Sequence, residues 1–199
     1  MALVVGGTTV TGTQVLDATK LSGNLPAISG ASLTGISGGI SQYQLWRLTS
    51  ALNSNASIAD ITSNLEIADT NASATIGSNM TQSSGVFTFP STGIYKVTFQ
   101  GQAYQPSGYD DRGVKFIIQT TTNNSSYADA GRVFNAMLWT PNDNQEYSAA
   151  MVSIVFDVTN VSTHKVRFQF GSSQGTTVYL RGDTDENNTN FEFMKLGDT

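Results

Sequence analysis

Acidic side chains gather at two places in this chain, Asp110-Asp111 and Asp183-Thr184-Asp185-Glu186. Two carboxyl groups facing each other across a cleft can hydrolyse a glycosidic bond: one protonates the leaving oxygen and the other acts as base or nucleophile. The same oxygens can ligate calcium. Neither chemistry is well served. The second cluster lacks the glycine and the distal glutamate of a calcium loop, and Asn- and Asp-rich turns are ordinary punctuation in β proteins. No two acids fall on strands that the pattern places side by side. His164 is the single histidine and cysteine is absent, so no common base–nucleophile pair can be assembled. No glycine-rich loop sits between a strand and a helix to cradle a phosphate. The expectation is a protein without catalytic site, metal or cofactor.

Recognition chemistry is better supplied. In Gln102–Arg112, QAYQPSGYDDR, Tyr104 and Tyr109 flank a Pro-Ser-Gly turn beside Asp110, Asp111 and Arg112. Aromatic faces stack on sugar C–H surfaces and acids accept from sugar hydroxyls, so these five residues are candidates for receptor contact. Trp139, in Leu138-Trp139-Thr140-Pro141-Asn142, is a sixth. Tyr104 and Trp139 can equally be strand-end core residues, and that alternative stays open. Arg181-Gly182-Asp183 spells an integrin-type tripeptide, but three residues recur by chance and read as a hairpin turn. His164, just ahead of a strand, reads as structural.

These side chains need a scaffold, and composition limits which. The chain has 199 residues and a net charge of −5, with only 13% charged residues; a typical domain has about 25%. Ser, Thr, Asn, Gln and Gly carry the polar surface instead. Nucleic acid wants a basic face, so it is not an expected partner. No apolar run approaches the roughly 20 residues of a membrane span. The opening Met1-Ala2-Leu3-Val4-Val5-Gly6-Gly7 has no basic region, so no signal peptide is expected.

Residues 1–42 contain no aromatic side chain and are dense in Gly, Ser, Thr and Ala. They cannot bury a core alone. They do carry a pseudo-repeat spaced by twelve, Leu16-Asp17-Ala18-Thr19-Lys20-Leu21-Ser22-Gly23 against Ile28-Ser29-Gly30-Ala31-Ser32-Leu33-Thr34-Gly35. Residues 1–42 read as a stalk or attachment segment and 43–199 as a head.

The head is a series of strands. Gly85–Tyr104, GVFTFPSTGIYKVTFQGQAY, reads as a hairpin: a short strand, a Pro-Ser-Thr-Gly turn and a long strand. In the long strand Tyr95, Val97, Phe99, Gly101 and Ala103 share one face, while Lys96, Thr98, Gln100 and Gln102 share the other. Further strands are predicted at 43–48, 114–120, 127–138, 148–158, 164–170, 177–181 and 190–196, with edge strand and loop over 51–70. Eight to ten strands without a long helix mean a sandwich or barrel, and an all-β jelly-roll sandwich is expected. In 149–158 the core face is Ala150, Val152, Ile154, Phe156 and Val158, yet Met151 and Val155 are apolar on the opposite face. A strand apolar on both faces is covered twice.

The motif of 85–104, with the closing Phe191-Glu192-Phe193-Met194-Lys195-Leu196, resembles the globular head of the first complement component and its tumour-necrosis-factor relatives. That resemblance implies a homotrimer, with Met151 and Val155 against two further copies. Leu16 to Thr34 is similar to the repeats of phage tail-fibre proteins, which implies attachment to other virion or tail proteins. Together they imply a bacteriophage virion structural protein: a trimeric tail-fibre or spike tip binding a host-surface receptor, glycan or protein. Such a protein assembles in the host cytoplasm and acts outside the cell. The alternative is a non-viral bacterial surface interaction module of the complement/TNF-like group, without catalytic activity.

Overall fold

The computed structural model describes residues 3–5, 8–10, 39–55, 57–70, 73–106, 113–137 and 145–199. The chain forms two compact units, Met1–Ile36 and Ser37–Thr199. In the first, β1 (Leu3–Val5) and β2 (Thr8–Val10) pair antiparallel, Leu3 opposite Val10. The twelve-residue repeat lies outside the described residues.

In the second unit, alternating sequence becomes strand and the described residues contain no helix. The early strands are short: β3 (Tyr43–Leu48), β4 (Leu52–Asn53), β5 (Ile58–Asp60), β6 (Leu65–Ile67), β7 (Thr81–Ser83) and β8 (Val86–Thr88). Then come β9 (Gly93–Gln105), β10 (Gly113–Thr121), β11 (Ala128–Ala136), β12 (Glu146–Val158) and β13 (Lys165–Ser172), followed by β14 (Tyr179–Leu180) and β15 (Asn190–Gly197). The window 51–70 resolves into three short strands with loops between, as expected.

Two antiparallel sheets result. The first runs β12-β9-β15-β3-β6, with β14 and β4 continuing beside the far end of β9 where β15 has ended. The second runs β11-β10-β13-β8-β7, with β5 on β13. The chain repeatedly changes sheet, from β8 to β9, β9 to β10, β11 to β12, β12 to β13 and β13 to β14. That is a jelly-roll sandwich.

The segment 85–104 is not a hairpin. Its long strand is placed as expected, but β8 pairs with β7 and β13 in the second sheet while β9 lies in the first. The Pro90–Gly93 turn is a corner between sheets. The reason is burial: Phe87 and Phe89 on one side of the turn and Tyr95 and Val97 on the other all point into one core, which two layers facing each other allow and one ribbon does not. Tyr95 ties the corner down, its hydroxyl 2.9 Å from Ser91 Oγ, 3.0 Å from Ser91 O and 2.9 Å from Gln42 Oε1. The true hairpin is β7–β8. Its two loop residues, Ser84 (φ 49°) and Gly85 (φ 77°), take the left-handed conformations of a type I′ turn.

The core is aromatic. Phe87 packs on Trp46 and Phe168 edge-on at 5.3 and 5.5 Å, and Phe99 stacks on Phe191 at 5.1 Å. Phe116, Phe170 and Phe193 complete a buried layer. Each aromatic buries a large apolar area, which lets a cysteine-free sandwich hold together.

Candidate functional site

The core claims one face of each strand in the first sheet, so the register dictates which residues meet on the outer face. Across β12, β9 and the strands beyond, the outward rows are Tyr147–Tyr104–Tyr179, Ala149–Gln102, Met151–Gln100–Asn190, Ser153–Thr98–Glu192–Leu45 and Val155–Lys96–Met194–Tyr43.

The first row puts three tyrosines from three strands side by side. Tyr104 stacks on Tyr179 at 5.2 Å with the rings 17° apart, and lies 5.9 Å from Tyr147. Tyr147 is 51% exposed and donates its hydroxyl to Gln145 Oε1 at 2.6 Å. Burial pushes the Tyr104 phenol above its usual value, and the neighbouring Tyr179 and Tyr147 phenols add to the shift. Below the row Arg181 Nη1 donates to Gln102 Oε1 at 3.3 Å. Tyr and Arg dominate the energetics of recognition surfaces, because they pair a rigid apolar body with a polar end. Tyr104 is therefore no strand-end core residue; it stands outward.

Down β12 from Tyr147 the outer face carries Met151 and Val155, 61% and 66% exposed. Between them Ser153 Oγ meets Thr98 Oγ1 at 2.9 Å. The strand has the two-sided character expected of it: Ala150, Val152, Ile154 and Phe156 lie half-buried against the core, while Met151 and Val155 face solvent.

Beyond β15 the outer face closes over a buried cation. Arg47 is 1% exposed and its fork is filled: Nε to Glu66 at 2.7 Å, Nη2 to Asp69 at 2.7 Å, Nη1 to Thr70 Oγ1 at 2.6 Å. Thr70 Oγ1 in turn donates to Asp185 O at 3.3 Å. The loop after β14 is thus pinned. Arg181-Gly182-Asp183 lies in it and is not a hairpin turn, because β14 and β15 both flank β9 on the same side. Gly182 rests on the backbone of Ser50, and Asp183 N donates to Leu48 O at 2.8 Å. The Asp183 carboxylate accepts from the backbone N–H of Asp185 at 2.7 Å and of Glu186 at 3.2 Å, which holds its pKa below the usual range. The tripeptide is packed against the chain between β3 and β4.

Of the other residues singled out by sequence, Tyr109, Asp110, Asp111, Arg112 and Trp139 lie outside the described residues. Along the chain the first four lie between β9 and β10, and Trp139 between β11 and β12. His164 sits in the turn between β12 and β13, stacked on Phe156 at 5.6 Å with a threonine hydroxyl near each ring nitrogen. Among the described residues no group of three or more His, Asp or Glu side chains could hold a metal ion. Tyr147 and Tyr179 were not among the sequence candidates. Tyr147 was findable, four and eight residues before Met151 and Val155 on one face of one strand. Tyr179, on a two-residue strand, had no periodicity to show it.

No family model matches this chain, and no curated protein does. Solved structures similar to it include murine APRIL at pH 5.0, 11% identical with a TM-score of 0.48, covering 78% of this chain and 98% of that one. The structure of Eiger TNF from S. frugiperda is 15% identical with a TM-score of 0.47, covering 79% of this chain and 93% of that one.

Proposed function

We propose that this protein is a bacteriophage virion component, the trimeric tip of a tail fibre or spike, whose head binds a receptor on the host surface. The observation that carries this reading is the outward apolar stripe of β12, Tyr147, Met151 and Val155, on a face where an isolated sandwich would place polar residues. Three copies closing on one another would cover it. Residues 1–42, with their fibre-like repeat, attach the head to other virion proteins. Tyr104 and the segments holding Tyr109, Asp110, Asp111, Arg112 and Trp139 make receptor contact. Binding by one head is weak and is multiplied by three heads on one stalk. The protein is assembled in the host cytoplasm and acts outside the cell.

The test is the absolute mass of the full chain by light scattering on a sizing column over a range of concentrations, followed by adsorption of the labelled protein to bacterial surfaces. A mass near three times 21.2 kDa, with saturable adsorption removed by stripping surface polysaccharide or protein, is expected. A monomer at every concentration refutes the assembly, and a trimer that adsorbs to no bacterial surface refutes the recognition.

A further inference from the structure

The outer face of the second sheet carries a different chemistry. Four strands contribute one transverse row, Phe134 of β11, Lys115 of β10, Gly171 of β13 and Ile58 of β5. The next row is Arg132, Ile117, Gln169 and Asp60. Most charge on this face is already matched. Arg167 binds Asp60 at 3.0 Å and lies over the Tyr127 ring at 4.3 Å, and Arg132 binds Asp129 at 3.2 Å. Gln119 ties the two pairs together, accepting from Arg167 and donating to Asp129.

Lys115 is the exception. Among the described residues it has no acidic partner, whereas Arg132 and Arg167 each have one and Lys165, on the same face, donates to Thr88 Oγ1 and Val161 O. Its cross-strand neighbour Phe134 is 54% exposed. The ring's Cζ and Cε2 stand over Gly113, where any Cβ would strike them, and about half of the residue stays exposed. On the opposite flank Ile58 covers Gly171, its Cδ1 2.8 Å from where a Cβ would stand. The result is a shallow floor with a half-exposed aromatic ring at one end, an apolar wall at the other and an unmatched cation between.

A pyranose ring offers one C–H face that packs on an aromatic, and a carboxylate on the same ring needs a cation. We infer that the Phe134–Lys115–Ile58 row binds a carboxylate-bearing sugar residue of a surface polysaccharide, its C–H face on Phe134 and its carboxylate on Lys115 Nζ. The chain carries a net charge of −5, so an acidic glycan is drawn to this row by the local cation, against the charge of the whole. This inference rests on the head being a glycan-binding tip, and it adds to the contacts proposed above a second one, on the sheet opposite the one proposed to assemble.

The experiment titrates the full chain with a panel of uronate- and sialate-bearing oligosaccharides and with their carboxyl-reduced counterparts, by calorimetry. Acidic sugars are expected to bind, and carboxyl reduction, Lys115→Gln and Phe134→Ala each to weaken binding by roughly tenfold or more. Lys115→Arg should retain it, binding should weaken with salt, and the mass by light scattering should not change. Acidic sugars bound equally by wild type, Lys115→Gln and Phe134→Ala would overturn the site and leave the glycan-binding head standing. Sugar phosphates bound as tightly as the carboxylates would reduce the row to a general anion site and overturn the sugar assignment. A chain that binds neither acidic nor neutral glycans would overturn the site and the glycan reading together.

Discussion

Replacing Met151 and Val155 by glutamate should take the proposed trimer apart without unfolding the head. Full burial of a Val or Met side chain contributes roughly 1.5–3 kcal/mol. With 61% and 66% of the two side chains still exposed in the single head, covering both adds about 2–4 kcal/mol per copy. Association costs an estimated 4–15 kcal/mol in lost freedom, so this contribution, with that of Tyr147, decides the balance. Glutamate removes the gain and places an unpaired carboxylate in the interface, at a further cost of several kcal/mol per ion. Met151→Glu and Val155→Glu should therefore each move the mass from trimer to monomer at micromolar concentration. The side chains face water in the monomer, so the thermal stability of the separated head should change by no more than about 0.5 kcal/mol. Light scattering gives the mass and urea denaturation the stability. A double variant that keeps the same mass as the wild type would refute the reasoning, because the stripe would then lie on a free surface. One that unfolds would show that the outer face of β12 supports the single head.

Arg47→Ala should destabilise the head by about 2–5 kcal/mol, since it empties the volume of a fully buried side chain, whereas Arg47→Met, which refills that volume and leaves unpaired only carboxylates that are partly exposed, should cost far less. Chemical denaturation separates the two, and equal losses would mean that the charge, not the packed volume, is what matters. Gly85→Ala should lower the melting temperature by several degrees: about 1–2 kcal/mol comes from the left-handed backbone, and a Cβ there lies 2.8 Å from Ile61 C. An unchanged melting curve would mean that the β7–β8 turn is not held as described. Burial raises the phenols of Tyr43, Tyr104 and Tyr127, so the folded state holds these protons more tightly than the unfolded chain. Their contribution is complete below the ordinary value of about 10 and is lost as pH rises through the raised values. Urea denaturation between about pH 8 and 11 should show a phenol contribution that holds to about pH 10 and falls above it, with a shallower fall in Tyr104→Phe; identical slopes would show that Tyr104 is solvated.

Strand identity was legible wherever alternation was strong. The facing of 95–103 and of 150–158 follows from a period of two: the structure buries Tyr95, Val97, Phe99, Ala103 and Val158 and packs Ala150, Val152, Ile154 and Phe156 half-buried against the core. What alternation could not reveal is which strands become neighbours. Pro90-Ser91-Thr92-Gly93 is turn chemistry in either geometry, and only the shared core of Phe87, Phe89, Tyr95 and Val97 makes it a corner between sheets. Arg181-Gly182-Asp183 likewise reads as a turn, but its docking on Ser50 and its tie through Thr70 to Arg47 are made by residues more than 100 positions away.

The amino-acid sequence by itself determined an all-β head, its main strands and the inward face of each, because those properties depend on neighbours one and two residues apart. It also determined that Met151 and Val155 share the face opposite the core. The tertiary structure alone decided which side chains meet on the surface. Tyr147, Tyr104 and Tyr179 form one row, and Phe134, Lys115 and Ile58 another, because strands distant in the chain come into register under a common aromatic core. Register across a sheet depends on how the whole hydrophobic set is buried at once, and no local stretch of sequence contains that information.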